Sequence, residues 1–196
     1  MHEPERLHPD TLKLIRVKVR ELGYLPNQSA RSLASRRSRI VAAIVPTLMN
    51  SVYAGTLQGL SDGVRRVGFE LMLGDSGYSP AIERSLVGAF IGRGVDALVL
   101  TGVEHDRATR DLVRSNRMPV AEIWDLGRQP LGLAVGFSNR LAGEAVGALL
   151  SAIGRRRWGF VGVHPTQEHR SRKRLEGFSR AAEAAGVPPP KCAFIG

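Results

Sequence analysis

The 196 residues predict an α/β chain organised around a parallel sheet. Two observations carry this. From residue 40 onward, short apolar runs alternate regularly with longer amphipathic ones. The short runs are apolar nearly throughout instead of at every second position, as in strands buried on both faces and covered by helices.

The elements follow in order. Residues 9–22 read as a helix: Leu12, Ile15, Val19 and Leu22 recur at spacings of 3, 4 and 3, with Lys13, Arg16, Lys18 and Arg20 between them. Pro9 suits the first helical position, Asp10 the positive end of the helix dipole, and Gly23 the exit. One apolar stripe cannot make a domain alone, so it needs partners. Residues 21–39, ELGYLPNQSARSLASRRSR, carry no acid after Glu21. Asn27, after Pro26, is a natural N-cap for a short helix through Ser29, Ala30, Arg31 and Leu33. About eight residues of helix are unstable alone and order only against a partner. The same composition also fits a solvated interdomain linker.

Strands are expected at Ile40–Val45, Phe69–Leu73, Ala97–Thr101, Val120–Trp124, Leu133–Phe137, Trp158–Val163 and Ala193–Ile195. Helices are expected at about 52–67, 80–92, 106–116, 139–153 and 170–185. Ligands of such sheets sit beyond the carboxyl ends of the strands. The loops that matter are therefore Pro46–Tyr53, Gly74–Ser79, Gly102–Asp106, Asp125–Pro130 and His164–Arg174.

Charge is unevenly spread. The formal net charge is +10, with residues 1–40 contributing nine Lys/Arg against four Asp/Glu and residues 151–180 eight against two. Two basic regions on a near-neutral body suggest a polyanion contact at one and an anionic ligand at the other. An arginine-rich surface without a partner gives the same composition. The single cysteine, Cys192, excludes an internal disulfide and a cysteine-based zinc site, and its apolar neighbours suggest a buried small hydrophobe. There is no signal-peptide pattern and no apolar run near the ~20 residues that span a bilayer, so a cytoplasmic protein without a membrane partner is expected.

Catalytic signatures are weak. Neither a GxxxxGK[ST] phosphate loop nor a GxGxxG after a strand is present. GDSGYS at 74–79 is similar to the nucleophile block of GDS-type esterases, with Ser76 as candidate, but no Asp-x-x-His pair accompanies it. An Asp-Ser-Gly after a strand also serves simply as a turn. The histidines include no i, i+4 pair, and His164 and His169 lack a third ligand, so no metal, cofactor or catalytic residue is assigned.

The ordered blocks carry a resemblance. Residues 7–80, from LHPDTLKLIRVKVRELGYLPNQSARSLASRRSR through IVAAIVPTLMNSVYAGTLQGL to LMLGDSGYSP, resemble the third helix, hinge helix and first βαβ unit of the lactose-repressor (LacI) family of bacterial regulators. The similarity continues through RGVDALVLTG (93–102), MPVAEIWDL (118–126), VGFSNRLAG (135–143) and RKRLEGFSRAAEAAG (172–186). The WDL and VGFSN blocks look most like the gluconate-operon repressor branch. The resemblance implies a periplasmic-binding-protein-like (type I) parallel-sheet subdomain. A remnant of a helix-turn-helix domain (1–23) and a hinge helix or linker (24–39) would precede it. The first effector subdomain would run over 40–154, and an incomplete second one over 155–196. The sequence thus looks cut at both ends, with the base-reading helix upstream of the aligned segment.

Function is implied in the same way. The chain resembles a DNA-binding transcriptional regulator, a repressor, acting as a homodimer on operator DNA under the control of a sugar or sugar-acid effector such as gluconate. Hinge contacts to DNA would fall on Tyr24, Asn27, Ala30, Arg31, Leu33 and Arg36, with Leu33 wedging open a minor-groove step. Effector contacts would fall on Val52, Tyr53, Ser76, Thr101, Trp124, Asp125 and Arg174. Of these, Tyr53 suits stacking on a sugar face, and Arg174 suits clasping hydroxyls or a carboxylate. Alternatives are a sugar-binding receptor without DNA contacts, and an α/β hydrolase using Ser76.

Overall fold

The computed structural model describes residues 8–23, 37–127, 129–164 and 168–195. The chain divides into two units, residues 1–38 and 39–196. In the first, α1 spans Pro9–Glu21, with Pro9 opening it, Asp10 in the first turn, and Lys18 and Arg20 in the last. Gly23 leaves the helix at φ +58°, a conformation that costs glycine least. Leu14, Val17 and Leu22 are exposed. The expected short helix at 27–34 lies outside the described residues.

The second unit holds two parallel sheets. The first has the order β2-β1-β3-β4-β5, from β1 (Ile40–Val45), β2 (Glu70–Asp75), β3 (Ala97–Thr101), β4 (Val120–Ile123) and β5 (Leu133–Val135). Three helices accompany it: α2 (Ser51–Arg66), α3 (Pro80–Gly92) and α4 (Arg107–Ser115). The chain moves one way from β1 to β2 and the other way from β2 to β3, so right-handed crossovers carry α2 and α3 to opposite faces. Burial agrees: successive residues Ala42, Ala43, Ile44 and Val45 of the central strand are all buried. Ala42, Ile44, Leu98 and Leu100 pack with Val87, Phe90 and Val113 from α3 and α4 in the main core.

Two expected strands end early. β4 stops at Ile123 because Trp124 turns to φ +70°. β5 stops at Val135 because Gly136 meets the Asp125 backbone so closely that a Cβ would overlap it.

The second sheet pairs β6 (Gly159–Val163) with β7 (Lys191–Ile195). The helices α5 (Asn139–Ala152) and α6 (His169–Ala184) go with it. The expected subdomain boundary at residue 154 puts α5 with the first sheet, but the packing puts it with the second. Leu150 of α5 joins Trp158, Phe178, Ala182 and Val187 in a separate core. A Cβ on Gly143 of α5 would overlap the Arg174 carbonyl, and one on Gly177 of α6 the Arg140 carbonyl, so the helices touch backbone to backbone. Cys192, expected to be buried, is exposed, because β7 is an outer strand paired only with β6 and exposed along its length.

Candidate functional site

Loops at the carboxyl ends of β1, β2, β3 and β4 meet the first turn of α6 around an open cleft. Helix caps set this arrangement. Asn50 accepts from Val52 N at 3.0 Å at the start of α2, and Asp106 from Thr109 N at 2.6 Å at the start of α4. Glu168 caps α6, accepting from Arg170 N at 3.2 Å and Ser171 N at 2.5 Å. Each cap satisfies amide donors that the helix itself leaves open, and each brings a polar loop to the cleft.

Three groups of contacts cross from the first sheet to α6. Arg170, buried, donates to the Tyr53 hydroxyl at 2.8 Å and pairs with Glu168. Tyr53 is 5% exposed and sets its ring edge-on to Trp124 at 5.6 Å, with Trp124 in turn 6.2 Å from Phe137. Lys173 reaches Asp125 at 2.6 Å, and Asp125 also accepts from Asn139 at 3.1 Å. Glu104 gathers His169 at 2.8 Å, Arg172 at 2.9 Å and Lys173 at 3.2 Å. Burial alone pushes the Glu104 carboxyl upward, but His169, Lys173 and Arg172 outweigh it and hold the group below its ordinary range. Tyr78, at the cleft edge, is pushed up to about 12 by burial and by the neighbouring Tyr53.

The predicted effector residues fall in different places. Ser76, Thr101 and Asp125 line the cleft. Tyr53 and Trp124 stand beside it as the aromatic pair, Tyr53 reaching it through Arg170. Val52 is 53% exposed and outside the lining, on the first turn of α2. Arg174 is also outside it: its side chain is 41% exposed, donating to Asn139 at 2.6 Å and lying 3.4 Å from Glu168. The Ser76 hydroxyl donates to the Val45 carbonyl at 3.4 Å. Thr101 similarly donates to Ile44 at 3.0 Å.

Glu168 and Arg170 were missing from the sequence expectation, as were Tyr78 and Glu104. All four lie in the loops singled out by strand ends, but nothing in the sequence separates Arg170 from its neighbouring cations. Only packing shows that it is the one turned inward. The hinge candidates Tyr24, Asn27, Ala30, Arg31, Leu33 and Arg36 lie outside the described residues. Among the described residues, no group of three or more His, Cys, Asp or Glu is placed to hold a metal, and no helix is long and apolar enough to cross a membrane.

Comparison with known proteins matches this architecture. A family model described as periplasmic binding proteins and sugar binding domain of LacI family covers residues 38–193. The chain is 36% identical over 176 residues to the HTH-type transcriptional regulator GntR of Pseudomonas aeruginosa, covering 90% of this chain and 51% of that protein. It is 28% identical over 189 residues to GntR of Escherichia coli, covering 96% and 56%. The chain therefore spans about half the length of the curated relatives it matches. Among solved structures, a LacI-family transcriptional regulator from Silicibacter pomeroyi superposes with a TM-score of 0.88 at 31% identity, over 96% of this chain and 56% of that one. GntR from Chromobacterium violaceum gives 0.73 at 28% identity, over 80% and 58%. With four-fifths of its length inside the family model and regulators as its relatives, the chain belongs to the LacI family.

Proposed function

We propose that the protein is a DNA-binding transcriptional repressor whose operator affinity is set by a small sugar or sugar acid, such as gluconate, held in the cleft. The observation that carries the reading is the cleft itself. Its wall on one side comes from strand-end loops of the first sheet, on the other from α6 of the second, and the two are joined by polar contacts. A ligand binding there changes what the two halves share, and a change in their relation is how a two-part body transmits binding. Hydroxyl and carboxylate groups suit its lining, which mixes acids, Arg170, His169 and Tyr78.

Similar proteins support the class of ligand. The Cra regulator of Pseudomonas putida, 27% identical with a TM-score of 0.67, was solved in complex with fructose 1-phosphate, and GntR proteins are the named relatives. The DNA contact falls to the hinge residues Tyr24, Asn27, Ala30, Arg31, Leu33 and Arg36, in a homodimer.

Isothermal titration of the chain with D-gluconate, D-glucose and fructose 1-phosphate tests the effector half. Binding of at least one, with a gain in stability of about 2.7 kcal/mol at a hundredfold excess over Kd, is the expected result. Absence of binding by all three, with an unshifted melting temperature, removes the reading.

A further inference from the structure

Four carboxylates line the cleft: Glu83, Glu104, Asp125 and Glu168. Three are fully engaged by protein groups. Both oxygens of Glu168 take backbone amides and arginines. Both oxygens of Asp125 are used, one by Leu126 N and Asn139, the other by Lys173. Both oxygens of Glu104 face Arg172, with His169 and Lys173 beside them. Glu83 differs: Oε1 meets His105 Nδ1 at 2.8 Å, while Oε2 takes no hydrogen bond among the described residues.

The reason Glu83 keeps this posture lies behind it. His105 is 1% exposed and stands between two carboxylates. Its Nε2 is 3.4 Å from Oε1 of Glu122, a residue wholly buried in β4, and neither atom has an aligned hydrogen-bond partner. The other Glu122 oxygen accepts from Leu131 N at 3.1 Å. Beside this group, Asp106 is occupied by Arg84 at 3.1 Å and by Thr109 N. His105 thus stands between two carboxylates, of which Glu122 is sealed from solvent and Glu83 meets the cleft.

We propose that Glu83 is a hydroxyl-reading acceptor of the cleft, held in place by His105, so that the cleft selects ligands able to donate a hydroxyl hydrogen there. Carboxylate acceptors form the stronger, charge-assisted class of hydrogen bond. One pre-positioned by a buried partner is ready before the ligand arrives. Glu83 is the ligand contact, and His105 is a positioning residue behind it. The inference rests on the cleft being a sugar or sugar-acid site.

The test is titration calorimetry of the whole chain with D-gluconate, D-glucose and fructose 1-phosphate, then with the single-deoxy analogues of whichever binds most tightly. Glu83→Gln is nearly isosteric and turns an amide donor toward the cleft when its carbonyl keeps His105. It is expected to weaken the tightest probe about tenfold without lowering the melting temperature by more than a few degrees. One deoxy analogue is expected to lose a similar factor on the wild type and nothing further on the variant.

His105→Gln is read against Glu83→Gln: alone it is expected to weaken the tightest probe, and added to Glu83→Gln to cost nothing further, whereas additive losses would show that His105 does not act through Glu83. Should His105→Gln fail to fold, the deoxy series on Glu83→Gln decides alone. A folded Glu83→Gln protein that binds every probe with wild-type affinity overturns the proposal and leaves the cleft reading standing. A wild type that binds none of the probes overturns the cleft reading and this proposal together.

Discussion

The placement of Arg170 is set by what its guanidinium would lose elsewhere. A buried cation is costly unless its donors are met, and Glu168 and the Tyr53 hydroxyl meet them. Tyr53→Phe removes one acceptor and keeps the ring against Trp124. The expected cost is about 1–2 kcal/mol in urea unfolding, together with weaker effector binding; an unchanged midpoint would show that water replaces the hydroxyl.

His105 supplies a second prediction at this scale. Burial lowers its pKa, but the Glu122 and Glu83 carboxylates on either side of the ring outweigh that and raise it to about 9, from 6.5 in the unfolded chain. A folded-state value above the unfolded one gives stabilisation that is fully present below pH 6.5 and lost as pH rises through 9. Unfolding free energy is therefore expected to fall by a few kcal/mol between pH 6.5 and 9.5, and His105→Gln to flatten that profile. Neither residue stands out in the sequence: Arg170 is one of several cations in a row, and His105 is a lone histidine in a loop.

Helices and strands were far more legible than their partners. Apolar runs placed β1 and β3 to the residue, because a strand buried on both faces has no polar position to blur its limits. The helix expected at about 80–92 likewise coincides with α3, which Pro80 opens. The misassigned element was α5, whose sequence reads equally well as cover for either sheet. What decides is Gly143 facing the Arg174 carbonyl and Gly177 facing the Arg140 carbonyl. Gly143→Ala and Gly177→Ala are each expected to cost about 1–3 kcal/mol by overpacking, seen as a lower melting temperature. Equal stability for both would mean that the helices separate easily, leaving α5 no fixed place in the second core.

At the scale of the whole molecule, charge connects the two proposed activities. The proposed hinge segment, residues 24–39, is basic in sequence, and arginine contacts to phosphate release counterions. Arg31→Ala and Arg36→Ala are each expected to reduce the slope of log affinity against log salt by about 0.9 per lost phosphate contact. Leu33→Ala should instead weaken binding with little change of slope, since a wedge carries no charge. Fluorescence anisotropy with duplex DNA over a salt series measures both. A leucine variant whose slope changes as much as an arginine variant's would contradict the assigned roles. Within the second unit, the ion pairs of Glu104 and Asp125 with α6 bridge the two sheets, so ligand and salt act on the same contacts.

By itself, the sequence determined the α/β class, the order of the elements, the loops that meet at the cleft and the family, since hydrophobic periodicity and chain-order motifs are local properties. Tertiary structure alone decided which side chains in those loops matter. Arg170 turned inward while Arg174 remained half-exposed, α5 joined the second core, and Glu83 met His105 through one oxygen with Glu122 behind that histidine. Those outcomes depend on which groups can shed water together, a competition between residues far apart in the chain.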